Sequence, residues 1–122
     1  MIPQGAFTRD AANALLAGDP LLHALATDTA VNCSILGRRL ITRAAALALI
    51  GSAPVSGADD LKLIQIVSLT AFAHTFTATG LLQTGSASVN AATFAAFAGA
   101  GLTVMCFQGK LVVLYSNGIT FS

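Results

Sequence analysis

Hydrophobic and polar positions divide the chain into a short leading segment and a long β-patterned remainder. In residues 1–30, Thr8 reads as an N-cap for a short helix over 9–17, rich in alanine and ended by Gly18. Asp19-Pro20 reads as a second cap, opening a short helix through Leu21, Leu22, Ala24 and Leu25. Neither is long enough to be stable alone, so the segment reads as an arm that docks on something. From Val31 onward the pattern shortens to that of strands. Apolar runs at 31–36 and 40–43 flank the basic turn Gly37-Arg38-Arg39, and 44–50 fits helix or strand. Residues 51–60, GSAPVSGADD, form a turn region. The apolar, β-branched run 61–70 predicts a strand buried on both faces.

Residues 74–79 alternate cleanly, with His74, Phe76 and Ala78 on one side and Thr75, Thr77 and Thr79 on the other. The small, polar stretch 80–92 predicts a loop, and Gly99-Ala100-Gly101 a turn after Phe94 and Phe97. The end of the chain gives the clearest local signal. Runs at 102–107, 110–116 and 119–122, separated by Gln108-Gly109 and Asn117-Gly118, predict a meander of three strands. The resulting expectation is a mostly β fold, a small antiparallel sandwich or barrel-like domain over 31–122 preceded by a short helical arm over 1–30.

Composition sharpens the picture at the surface. The chain has 122 residues, 55% hydrophobic and only 9% charged, with no glutamate, whereas an ordinary soluble domain carries roughly 25% charged residues. A domain this small exposes most of its residues as a monomer, so an extensive weakly charged exterior points to burial against other chains. The stretch from Leu63 to Gly109 carries no Asp, Glu, Lys or Arg. It is nevertheless broken by Thr, Ser, Gly, Gln and Asn, which argues against a spanning helix. MIPQGAFTRD lacks the basic start of a secretory leader, so the expectation is synthesis in the cytoplasm followed by assembly, with no membrane partner. A net charge of +1 gives no electrostatic case for nucleic acid.

Candidate chemistry is sparse. Cys33 and Cys106 have no paired spacing and lie in apolar surroundings, the pattern of buried free thiols. Asp59-Asp60 lack the ligand spacing of a calcium loop and read as solvated turn residues or caps. His74 reads as a hydrogen-bonded core or interface histidine. A Cys106–His74 catalytic pair would need an oriented, accessible thiolate. His23, within the second short helix, reads as a core or interface histidine too. Arg38, Arg39 and Arg43 form the only basic cluster, suited to a phosphate or to a neighbouring subunit's carboxylates. No phosphate loop, nucleotide fingerprint, metal-binding motif or nucleophile elbow occurs. The expectation is therefore no enzyme, with no catalytic, cofactor or metal residues.

LITRAAALAL, PVSGADD, SLTAFAHTFT and the final ATFAAFAGAGLTVMCFQGKLVVLYSNGITFS together resemble a class of small bacteriophage virion proteins over about two-thirds of the chain. The class comprises capsid decoration or cement proteins, head fibres and repeated tail-fibre domains. The sequence departs from it at Leu111-Val112-Val113, where the class often has an aromatic, commonly Trp; this chain has none. The resemblance implies a structural virion protein, commonly a homotrimer, that decorates or cements the outside of the capsid through the major capsid protein or other virion proteins. It also implies an alternative, a head- or tail-fibre or receptor-binding module presenting the polar stretch around 80–90.

Overall fold

A computed structural model of the chain describes residues 22–26 and 29–122. Ten strands make one curled, mixed sheet that closes into a half-barrel: β1 (Leu22–Leu25), β2 (Thr29–Val31), β3 (Gly37–Ile41), β4 (Ala48–Gly51), β5 (Leu63–Ser68), β6 (Thr75–Thr84), β7 (Ala87–Phe94), β8 (Gly101–Phe107), β9 (Lys110–Asn117) and β10 (Ile119–Phe121). The order along the sheet is β1-β3-β5-β8-β9-β6-β4-β2, with β7 joined to β6 and β10 to β7.

That order has a simple origin. The chain alternates between two parallel ladders, odd strands building β1-β3-β5 and even strands building β2-β4-β6. Each pass through both ladders is one coil of a winding chain. The second and third coils are offset by 27 residues in both ladders, since Gly37 pairs with Ile64 and Ala48 with Thr75. The hairpin β8–β9 then bridges the ladders, β8 antiparallel to β5 and β9 parallel to β6.

The two ladders bury their facing sides. Ile41, Ile64 and Ile66 from the odd ladder meet Val31, Leu49, Phe76 and Ala78 from the even one, and Leu102, Val104 and Leu111 complete the core. Strand alternation makes this possible, because every second side chain points inward. In β5 the inner residues Ile64, Ile66 and Ser68 are buried, whereas Gln65 and Val67 are half-exposed and Leu63 is exposed. The run is thus buried on one face, not two. His74, Phe76 and Ala78 point inward as their alternation with threonines predicts.

Three other expectations change. The sheet is mixed rather than antiparallel, because from β1 to β6 consecutive strands go to opposite ladders instead of pairing with each other. No helix occurs among the described residues. Leu22–Leu25, expected within a second helix, pairs as β1 with β3; four residues gain more from a ready backbone edge than from one helical turn. The first expected helix, 9–17, lies outside the described residues. The expected loop at 80–92 is paired backbone, a β6–β7 hairpin turning at Gly85-Ser86, with an irregularity between Thr77 and Leu82.

The terminal meander is half right. Gln108-Gly109 makes the tight turn of β8–β9, both residues at positive φ (50° and 77°). At Asn117-Gly118 the chain turns a corner instead. β10 leaves β9 and pairs antiparallel with β7, Ile119 opposite Phe94. The edge of β7 not taken by β6 is what β10 completes, while β9 already lies between β8 and β6.

Candidate functional site

The residues singled out in the sequence are distributed over two ends and two faces of the coil. Arg38 and Arg39 are neighbours on β3, so they point to opposite sides. Arg38 lies outside, its Nε donating to Gln65 Oε1 at 2.9 Å. Arg39 lies inside, 4% exposed, and its Nη2 donates to the carbonyls of Ile35 (2.6 Å) and Asn32 (3.4 Å). Its Nη1 has no hydrogen-bond partner, and burial lowers its pKa. Arg43 sits in the β3–β4 connection beyond the far end of β3. The basic cluster of the sequence is not a cluster in space.

At the end of the molecule where strands enter the odd ladder, the connections before β3 and β5 are tied by Asp59. Its carboxylate accepts from Lys62 Nζ (2.6 Å), Ser34 Oγ (2.7 Å) and the Val55 amide (2.6 Å), and Lys62 Nζ also donates to the Ser34 carbonyl (2.7 Å). These bonds, with the Lys62 contact foremost, hold its pKa down at about 2. Asp59 is buried rather than solvated as expected of a turn residue. Asp60 does cap its turn, accepting from the amides of Gly57 and Gln108.

Both cysteines are free and buried at this same end, and Cys106 Sγ donates to the Cys33 carbonyl at 3.4 Å. Burial, with Cys106 close by, raises the Cys33 thiol to about 11, and burial likewise raises that of Cys106. Such thiols stay protonated near neutrality and are poor nucleophiles.

His74 lies at the opposite end. It is fully buried, with Nδ1 facing the Leu47 amide (3.0 Å) and Nε2 facing Thr70 Oγ1 (2.9 Å). Cys106 lies near the end of β8, its amide bonded to the Lys62 carbonyl ahead of β5, whereas His74 comes after β5; the two are at opposite ends of that strand and form no pair. His23 falls on β1, opposite Arg39 in register, and its side chain lies outside the described set. Among the described residues no group of three His, Cys, Asp or Glu could hold a metal ion, and no helix is long and apolar enough to cross a membrane.

The feature with the greatest extent is a face. Across the outer side of β3, β5, β8 and β9 the register sets residues in rows. One row runs Leu63–Met105–Val112, the next Arg38–Gln65–Thr103–Tyr115, and a third Leu40–Val67–Gly101. Leu63 is 50% exposed and Tyr115 61%. Gln65 links the middle row, accepting from Arg38 and donating to Thr103 Oγ1 at 3.4 Å. Arg38 is the only charged residue in these rows. The outer side of the even ladder differs, carrying Thr75, Thr77 and Thr79 beside Ala48 and Ile50.

Sequence reasoning missed this face because it read 61–70 as buried on both sides. Alternation was present there too: Ile64, Ile66 and Ser68 against Leu63, Gln65 and Val67. It also missed the 27-residue offset, visible as RAAALALI (43–50) over TAFAHTFT (70–77), which aligns Ala44 with Ala71 and Leu47 with His74. The sequence matches no protein-family model and no curated protein.

Proposed function

We propose that this protein is a non-enzymatic structural subunit that works in a closed symmetric assembly. The observation that carries this reading is the outer face of β3, β5, β8 and β9, where Leu63, Met105, Val112 and Val67 flank one short polar row that ends on exposed Tyr115. A second copy is the occupant that this face suits. It meets almost no like charge there, and burying apolar area contributes roughly 25 cal/mol per Å² before the costs of association. Closed symmetry also limits open-ended growth from exposed strands.

The finer reading is a bacteriophage virion protein that decorates or cements the outside of the capsid, with a homotrimer as the unit and the major capsid protein as its second partner. It draws support from the motif resemblance and from a fold whose polar side chains serve mainly to tie its own connections. In the alternative, a fibre or receptor-binding module, the exposed β6–β7 turn at Gly85 and Ser86 would take the place of the polar loop.

Light scattering and native mass spectrometry of the purified full chain test the assembly. The expected result is a closed oligomer that Leu63→Lys converts to monomer without changing the circular dichroism spectrum. A wild-type monomer at every accessible concentration removes the reading. Cryo-EM of purified particles tests the virion role: symmetric surface density that fits this fold is expected, and particles that lack the protein would exclude that role while leaving the assembly intact.

A further inference from the structure

The connection from β3 to β4 and that from β5 to β6 lie one coil apart, at the end of the molecule opposite Asp59. The shared offset of 27 residues makes Arg43 equivalent to Thr70 and Leu47 equivalent to His74. Hydrogen bonds run directly between these equivalents. The Leu47 amide donates to His74 Nδ1 (3.0 Å), the Thr70 hydroxyl donates to the Arg43 carbonyl (2.7 Å), and His74 Nε2 lies 2.9 Å from Thr70 Oγ1.

These bonds leave the imidazole one protonation state. A carbonyl only accepts, so the Thr70 proton is committed to Arg43, and its oxygen must accept from Nε2–H. A backbone amide only donates, so Nδ1 must keep its lone pair. His74 is therefore the neutral Nε2–H tautomer. Its carbonyl also accepts from the Phe94 amide (2.8 Å), and the Thr75 amide donates to the Leu47 carbonyl (2.9 Å), so β7 and the starts of β4 and β6 converge on the same point.

We propose that His74 is an acid-operated latch: neutral, it holds the 42–47 connection against the 69–74 connection; protonated, it releases the Leu47 amide and opens this end of the coil. A proton on Nδ1 sets N–H against N–H, and the Leu47 amide, in a residue 1% exposed, loses its acceptor. A hydrogen bond to the Thr70 backbone favours the cation, but burial outweighs it, and no charge nearby adds to it. In the 42–47 connection the one charged residue is Arg43, which meets the latch through its carbonyl. The 69–74 connection holds no titratable group besides His74, and Phe94 is the β7 residue bonded to it. No carboxylate is within this set.

Burial lowers the His74 pKa in agreement with this geometry. The unfolded chain then takes up the proton first. Stability is complete above the ordinary histidine value of 6.5 and declines as pH falls below it. The Asp59 ties at the other end respond only further down, between the ordinary aspartate value of 3.8 and about 2. Between pH 6.5 and 4, acid thus acts on the His74 latch and leaves the Asp59 ties intact.

The test uses the full chain carrying His23→Gln, which removes the other histidine. Folding stability is measured by urea denaturation from pH 7.5 to 5, with and without a second change, His74→Asn, whose Oδ1 can accept the Leu47 amide but does not titrate. The expected result is a folding equilibrium that weakens by up to about tenfold per pH unit below 6.5 in the chain retaining His74, and a flat profile in His74→Asn. Parallel profiles overturn the proposal. Should His74→Asn not fold, the Leu47 amide decides: its hydrogen-exchange protection falls with acid while that of Asp59 holds. Constant Leu47 protection from pH 7 to 5 overturns the latch.

Discussion

A methyl group added at position 51 would lie 2.6 Å from Cζ of Phe76 and 3.2 Å from the Ala78 Cβ. Phe76 is 1% exposed and walled in by the core, so it cannot swing aside. Gly51→Ala should therefore destabilise the fold by about 1–3 kcal/mol, the usual cost of overpacking, with thermal denaturation as the measurement. Gly118 makes an instructive comparison. Its φ is +67° and an added Cβ would run into the Phe97 ring, but that ring is exposed and can move, leaving backbone conformation as the main constraint. Asp59 shows the same dependence on surroundings in its charge. Its depressed pKa means that its contribution is complete above the ordinary aspartate value of 3.8 and is lost as pH falls toward 2. Asp59→Asn should weaken the protein at neutral pH and remove that part of the acid slope. A titration of stability from pH 5 to 2 checks it, and identical slopes in the two proteins would mean that the carboxylate is not the group responsible.

At the scale of elements, local chemistry was legible and partner choice was not. The alternation at 74–79 named the inward residues correctly, and Gln108-Gly109 marked a true hairpin, because both signals depend on neighbours in sequence. Asn117-Gly118 carries the stronger turn signal of the two, yet the strand after it pairs with β7. Which edge receives β10 depends on β9 being already flanked by β8 and β6, a fact no local pattern contains. The parallel ladders were hidden for the same reason: equivalents 27 residues apart share few identities, and His74 over Leu47 looks like no repeat. The Arg38–Arg39 pair misled because adjacency along a strand means separation across the sheet. The assignment of β10 has a direct test. The amides of Asn90 and Ala91 both donate to the Ser122 carbonyl and that of Ala95 to Gly118. Truncation after Asn117 should lower hydrogen-exchange protection at these three amides and leave Met105 and Val112, within the β8–β9 hairpin, protected. Loss along β9 with these three amides unchanged would restore the simple meander.

At the scale of the whole molecule, the two outer sides of the coil make opposite demands on solvent. The even ladder presents mainly threonines, which water satisfies, with Ile50 as its exposed large apolar side chain, while the odd ladder with β8 and β9 presents Leu63, Met105, Val112 and Tyr115. A subunit that buries the second side in an assembly gains stability from mass action, because association binds the folded chain and not the unfolded one. The melting temperature should accordingly rise with protein concentration. A matched pair of substitutions separates this face from general stickiness. Leu63→Lys puts a charge at the head of the Leu63–Met105–Val112 row. Ile50→Lys removes an even more exposed side chain, 63% against 50%, from the outer side of β4. Both sites are exposed, so each change alone should move the monomer's stability by no more than about 0.5 kcal/mol. If association uses the β3–β5–β8–β9 side, the concentration dependence disappears in Leu63→Lys and persists in Ile50→Lys. The reverse result would move the interface to the even ladder. A melting temperature independent of concentration in the wild-type chain, with a monomeric mass, would leave the low charge of this sequence without the explanation given to it.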